Sequence, residues 1–314
     1  MSEAIENALK NRYDFSIFFD VENGNPNGDP DAGNMPRVDD YTGKGLVTDV
    51  CLKRKIRNYV QLVKNDTAPW RIYIQERKPL NSLDEEAFTA NDIDPKKLGQ
   101  AIKDKDIKDI DWKLRQFMCE QFFDIRTFGA VMTTFNKGDI KLASGQVRGP
   151  VQLGFAQSID PVDYKEVTIT RIAITTAKDA EHKRTEMGNK YIIPYALYRV
   201  DGFISAKLAE KVTGFSEEDL EVLWKAILNM FEFDRSAARG KMAVRKLYTF
   251  KHSNDLGDAP SYKLFESISV KHSREDIEVV RQFSDYKISF DESVIPSGVE
   301  VTEKVENKVL KSAY

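Results

Sequence analysis

From Asp20 to Arg57 the chain reads DVENGNPNGDPDAGNMPRVDDYTGKGLVTDVCLKRKIR, a loop rich in Gly, Asn, Asp and Pro that runs directly into a basic helix. Those residues favour turns and bury little apolar surface. A loop of this kind cannot hold itself together by packing. Its composition points to a surface that touches a ligand.

The flanks of the loop are regular. Tyr13, Phe15, Ile17, Phe19 and Val21 alternate with Asp14, Ser16, Asp20 and Glu22, the period of a strand with one face in a core. Phe18 interrupts the polar side, which predicts partial cover of the outer face. Beyond the loop, Thr48 occupies an N-cap position, and Leu52, Ile56, Tyr59, Val60 and Val63 recur at helical spacing. Lys53, Arg54, Lys55 and Arg57 fall mostly off that stripe. Free N–H groups at a helix N-terminus, beside a hydroxyl and cations, suit an anion such as phosphate. The same cations also suit the solvated face of an amphipathic helix.

With 314 residues and 41% hydrophobic content the chain is globular rather than disordered. A formal net charge of −3 excludes a protein that coats nucleic acid through its overall field, so any such contact must be local. Bases gather in 44–57 and acids in 83–111. Cys51 and Cys119 form no disulfide framework or zinc spacing. MSEAIENALKNR has no apolar signal-type run and no segment approaches a membrane span, which predicts a cytoplasmic protein.

Farther along, Arg71 to Gln75 reads as a short strand and Asp109 to Asp124 as the strongest helix of the acidic stretch. PVQLGFAQSI, VTITRIAITT and KYIIPYALYRVDGFIS are β-branched and aromatic, hence strands. AKDAEHKRTEMGN between the last two reads as a protruding loop or hairpin tip. Ser216 to Phe231 is a helix capped by Ser216 and stapled by Phe215 and Leu220, with Trp224 in its core stripe. Met242 to Lys251 and Lys263 to Val270 follow as strands, and VTEKVENKVLKSAY as a frayed tail. The order predicts an α+β fold around a mainly antiparallel sheet with large insertions.

Chemistry motifs narrow the function. Asn23, Asn25, Asn27 and Gly28 imitate the start of a calcium loop, but Asn34 stands where the bidentate Glu belongs. Gly43-Lys44-Gly45 is not a P-loop, and His182, His252 and His272 have neither metal spacing nor a neighbouring nucleophile motif. No cofactor or metal is expected. Asp20, Glu22, Asp29, Asp31, Asp39 and Asp40 could hold Mg²⁺ against a phosphodiester or simply cap turns. Three glycine-bearing segments favour RNA: Arg126-Thr127-Phe128-Gly129, ASGQVRGPVQLG with Gln146 and Arg148 as donors, and DRSAARGKM with Arg239.

The runs FFDVENGNPNGDPDAGNMPRVD, GLVTDVCLKRKIRNYV, DIRTFGAVM, GQVRGPVQ and DRSAARGKM together closely resemble the CRISPR-associated backbone subunit of the type I-C Cascade complex, in the repeat-associated mysterious protein (RAMP) superfamily. The resemblance covers about Tyr13 to Met242. It implies a single domain (1–314) on an RNA-recognition-motif, or ferredoxin-like, core elaborated into palm, fingers and thumb. The acidic helical insertion 78–120 would form fingers and the loop 177–190 the thumb. Copies would polymerise along one CRISPR RNA, holding its backbone and leaving bases to pair with target DNA. Other Cascade subunits and a separately recruited nuclease-helicase would complete the system.

By that resemblance Thr48, Lys53, Arg54 and Arg57 face RNA phosphates with Arg37 nearby. Lys183 and Arg184 lie in the thumb, whose apolar Met187 could wedge between bases. The aromatic platforms of an ordinary RNA-recognition motif are not apparent, which fits a protein that leaves bases free to pair. Related type III backbone subunits cut RNA with a loop Asp and a divalent metal, so Asp20, Asp29, Asp39 or Asp40 keeps a nuclease reading open. A third reading is a stand-alone metal-binding or structural protein.

Overall fold

The computed structural model describes residues 7–94, 107–132, 135, 142, 145–174 and 185–312. Lys183, Arg184, most of AKDAEHKRTEMGN and the middle of the acidic stretch lie outside the described residues. In chain order the elements are β1 (Tyr13–Gly24), β2 (Lys44–Val47), α1 (Asp49–Lys64), α2 (Leu80–Ala90), α3 (Ile107–Gln121) and α4 (Phe123–Phe128). Then come β3 (Gly129–Val131), β4 (Gln146–Arg148), β5 (Val151–Leu153), β6 (Ala156–Pro161), β7 (Lys165–Arg171), β8 (Glu186–Ile204) and α5 (Glu217–Asn229). The chain closes with β9 (Lys241–His252), α6 (Ser261–Glu266), β10 (Ile268–His272), β11 (Tyr286–Phe290), β12 (Val299–Glu303) and β13 (Lys308–Lys311).

The centre of the main sheet runs β9–β1–β8–β6, each neighbour antiparallel. With α1 between β1 and β6 and α5 between β8 and β9, this is the βαββαβ order of a ferredoxin-like fold. Both helices pack on one face. Leu52, Ile56 and Val60 of α1 meet Leu223, Trp224 and Ile227 of α5 over Phe15, Ile17 and Phe19 of β1. Trp224 lies edge-on to Phe15 at 5.2 Å, a packing role. Ser216 and Asp219 form the capping box of α5.

The opposite face is also buried, which takes the cover signalled by Phe18 to completion. Phe18, Leu197, Tyr248 and Phe250 lie under Leu264 of α6, Ile268 and Tyr286 of the β10–β11 hairpin, and Ile295. Asp14, Ser16 and Asp20 of β1 are therefore internal. Asp14 accepts from Arg12 at 3.0 Å, Ser261 at 2.9 Å and His252 at 2.8 Å, so no carboxylate lone pair is stranded. A second apolar cluster, with Tyr73, Leu83, Phe88, Leu114, Met118 and Phe122, organises the helical insertion around α2, α3 and α4.

Four local expectations are corrected. Arg71 to Gln75 forms only an isolated bridge from Arg71 to Phe122, because the adjoining backbone N–H groups of Tyr73 and Ile74 bond to the Asp124 carboxylate. Lys263 to Val270 begins within α6 before entering β10. The C-terminal stretch is no frayed tail through Lys311: β12 and β13 form a hairpin that extends the sheet from β9. Val63, placed on the core stripe of α1, is exposed at the helix end. The β7–β8 pairing from Lys165–Ile192 to Arg171–Glu186 forms an arm on which every residue of β7 is exposed.

Candidate nucleic-acid interface

The Gly/Asn loop is locked to the start of α1. Asn27 Oδ1 accepts from both the backbone N–H of Thr48 (2.9 Å) and its hydroxyl (3.0 Å). Thr48 Oγ1 in turn accepts from Cys51 N–H at 3.2 Å, the expected N-cap. Arg37 sits on the same loop: its N–H donates to the Asn27 carbonyl and its carbonyl accepts from Leu46 N–H. The turn 234–240 closes over the other side, with Asn25 N–H donating to Ala238 O at 2.8 Å. A Cβ on Gly24 would overlap the Arg239 carbonyl, so that approach requires glycine.

The loop carboxylates are engaged in turns. Asp29 accepts from Asp31 N–H and pairs with Arg37 at 3.1 Å. Asp39 accepts from Tyr41 N–H and the Thr42 hydroxyl, which hold its carboxyl below the usual carboxylate range. Asp20 is buried, accepting from Arg245 Nε at 2.7 Å and Tyr195 OH at 3.1 Å. Among the described residues no group of three His, Cys, Asp or Glu side chains comes together to hold a metal.

Two expected phosphate ligands face inward, and this corrects their role. Arg57 donates through Nε to Asp124 at 2.7 Å, and only 7% of it is exposed. Arg126, 5% exposed, donates to Asp219 through Nε and Nη2 (2.8 and 2.7 Å) and to the Cys119 and Pro69 carbonyls. A buried guanidinium is tolerated only when paired and saturated in this way. Lys55, also expected off the core stripe, is buried against Asp234.

The remaining cations are placed as follows. Arg239 pairs with the same Asp234 while staying partly exposed. Burial pushes the Cys51 thiol up, while Lys55, Arg239 and Arg37 pull it down. Arg37 keeps its Nε without a hydrogen-bond partner. Lys53 pairs with Asp49 at 2.9 Å and lies over the Phe128 ring. Arg54 is half-buried.

Phe128 also lines an open depression of about 450 Å³ with Gly129, Gln146, Arg148 and Gln152. Gln146 and Arg148 are exposed on β4, which pairs with β3 across the close Gly129–Gly149 approach. Met187 is exposed on the arm, separate from these residues in the fold. Asn27 was legible only as a turn residue. Its role as the lock on Thr48 depends on a contact 21 positions away.

The family model for CRISPR-associated protein Cas7 matches residues 11–291. A curated relative, CRISPR-associated protein Cas7 of Haloferax volcanii, is 26% identical over 235 residues, 70% of this chain and 65% of the relative, so the chain spans just under two thirds of that protein. Among solved structures, a CRISPR RNA-guided surveillance complex, pre-nicking, matches with TM-score 0.47 and 16% identity over 76% of this chain and 78% of that one. A CRISPR RNA-guided surveillance complex matches with TM-score 0.42 and 14% identity over 76% and 68%. A type III-B Cmr-beta complex bound to cognate target RNA matches with TM-score 0.40 and 10% identity over 76% and 61%. With its family model running across the whole βαββαβ core, the chain belongs to the Cas7 family of CRISPR-associated proteins.

Proposed function

We propose that this protein is a non-catalytic backbone subunit of a type I-C surveillance complex. It polymerises along a CRISPR RNA, grips the sugar-phosphate chain and presents bases for pairing with target DNA. Other Cascade subunits and a recruited nuclease-helicase act with it. Residues 78–120 serve as fingers and 177–190 as the thumb. The observation that carries this reading is the closure of the loop over α1: Asn27 holds Thr48, Arg37 sits on the same loop, and the turn that bears Arg239 bonds to it through Asn25.

Backbone contacts of this kind give affinity and register without reading sequence, and specificity passes to base pairing. The sheet face on which an RNA-recognition motif stacks bases lies under α6 and the β10–β11 hairpin, which supports a backbone grip instead. Engagement of Asp29 and Asp39 as turn caps favours the scaffold over the RNA-cleaving alternative.

The test is binding of end-labelled CRISPR RNA by fluorescence anisotropy across a salt series, with a denaturing gel run in Mg²⁺. Arg37→Ala with Arg54→Ala and Arg148→Ala is expected to weaken unrelated RNA sequences alike. It should also flatten the slope of log K against log salt by roughly 0.7 per lost phosphate contact. Unchanged affinity and slope refute the interface. Mg²⁺-dependent cuts abolished by Asp39→Ala would establish the nuclease reading.

A further inference from the structure

We infer that Tyr41 is a base-stacking residue for the bound single-stranded RNA, an inference that rests on the RNA-binding reading above. Its side chain is 99% exposed. A single exposed tyrosine is ordinary on a protein surface. This one is held at the end of a closed, anchored turn.

Asp39 organises the turn. Its carboxylate accepts from Tyr41 N–H at 3.3 Å and Thr42 Oγ1 at 2.5 Å, its carbonyl accepts from Gly43 N–H at 2.8 Å, and its N–H donates to Lys44 O at 2.9 Å. Gly43 supplies the left-handed conformation, φ 67°, that the reversal needs. The turn is also tied to the sheet, because Val162 N–H donates to Gly43 O at 2.9 Å and Lys44 opposes Pro161. The backbone that presents the ring is already fixed, so binding orders only its two side-chain torsions.

The surroundings suit a nucleobase on a polyanion. Arg37 and Lys44 stand at the base of the same hairpin, where Val38 and Gly45 bridge. Two residues after Val162, at the root of the arm, Tyr164 meets Tyr191 edge-on with centroids 6.1 Å apart. Aromatic rings interleaved with cations are the chemistry of sequence-tolerant stacking, which engages the face of a base and leaves its pairing edge free. The sheet offers no such platform, since Phe18, Tyr248 and Phe250 are covered. A stacking residue can therefore only sit on a projection such as this turn.

The experiment uses the full chain with CRISPR RNA carrying 2-aminopurine at successive positions, comparing wild type with Tyr41→Ala and Tyr41→Phe. Wild type is expected to quench fluorescence at discrete positions. Tyr41→Ala loses that quenching and binds roughly 5- to 150-fold more weakly, while Tyr41→Phe retains both. The salt slope stays constant across all three, because no phosphate contact is removed. The inference is overturned if Tyr41→Ala matches wild type in quenching and affinity, or if Tyr41→Phe fails as Tyr41→Ala does. A smaller assembly with quenching intact would assign the ring to a contact between copies and also overturn it. Wild type that binds no RNA at all refutes the proposed function itself, a result distinguishable from any of these.

Discussion

Arg126 is a guanidinium taken almost wholly out of water, and its saturation by Asp219 and two carbonyls makes that position tolerable. Removing it leaves the buried Asp219 carboxylate without its cation, held only by its bonds from Ser216. Arg126→Ala is expected to cost about 3–5 kcal/mol in urea unfolding while leaving the RNA salt slope of the remaining folded protein unchanged. Asp20 carries the opposite strain. Burial raises its pKa more than Arg245 and Tyr195 lower it, so the folded state holds its proton more tightly than the unfolded chain does. The stability this group contributes is full below the ordinary carboxylate value near about 4 and is lost as pH rises through the raised folded-state value. Asp20→Asn removes that titration and keeps an acceptor for both partners. The unfolding free energy of wild type relative to Asp20→Asn is therefore expected to fall from pH 4 to 7, as read by urea melts at stepped pH.

At the scale of elements, the interface depends on two backbones in contact: the end of β1 with its loop, and the turn that leads into β9. Gly240 has φ 59°, and a Cβ there would overlap the carbonyls of Glu22 and Asn23. Gly33 has a similar φ of 62° but open space around it. The pair separates strain from contact. Gly33→Ala is expected to lose about 1 kcal/mol of stability with RNA affinity kept, whereas Gly240→Ala loses more and also weakens RNA binding by displacing Arg239. Thermal melts and anisotropy on the two variants check this. The helices themselves were legible: Thr48 and Ser216 mark their starts because capping depends on residues within one turn. Which cations α1 leaves free was not, because two of them, Lys55 and Arg57, meet carboxylates on other elements, Asp234 and Asp124.

For the whole molecule, the sheet is covered on both faces and closed at one end by β12 and β13. The terminal strand, KVLK, puts lysines on the outer edge, a common device against edge-to-edge pairing. β12 adds Val299 and Val301 to the outer layer, and Glu303 accepts from Leu247 N–H at 3.1 Å. Deleting 299–314 is expected to uncover the edge of β9 and turn a monodisperse protein into aggregate, seen by size exclusion with light scattering. With a near-neutral total charge of −3, the RNA attraction proposed above would have to come from local cations rather than from the molecule's field.

Local chemistry in the chain by itself determined the strand period of β1, the caps and stripes of α1 and α5, the turn character of the loop carboxylates, and the α+β order that yields a ferredoxin-like core. Each of these follows from residues within a few positions of one another. Tertiary structure alone decided which faces are buried and which charges are spent. Arg57 meets Asp124 across 67 positions and Arg126 meets Asp219 across 93, and β1 lost its solvent face to elements more than two hundred residues later. Helical and strand periodicity tells which side chains share a face. What covers that face is set by desolvation and pairing between distant segments, and no local pattern encodes it.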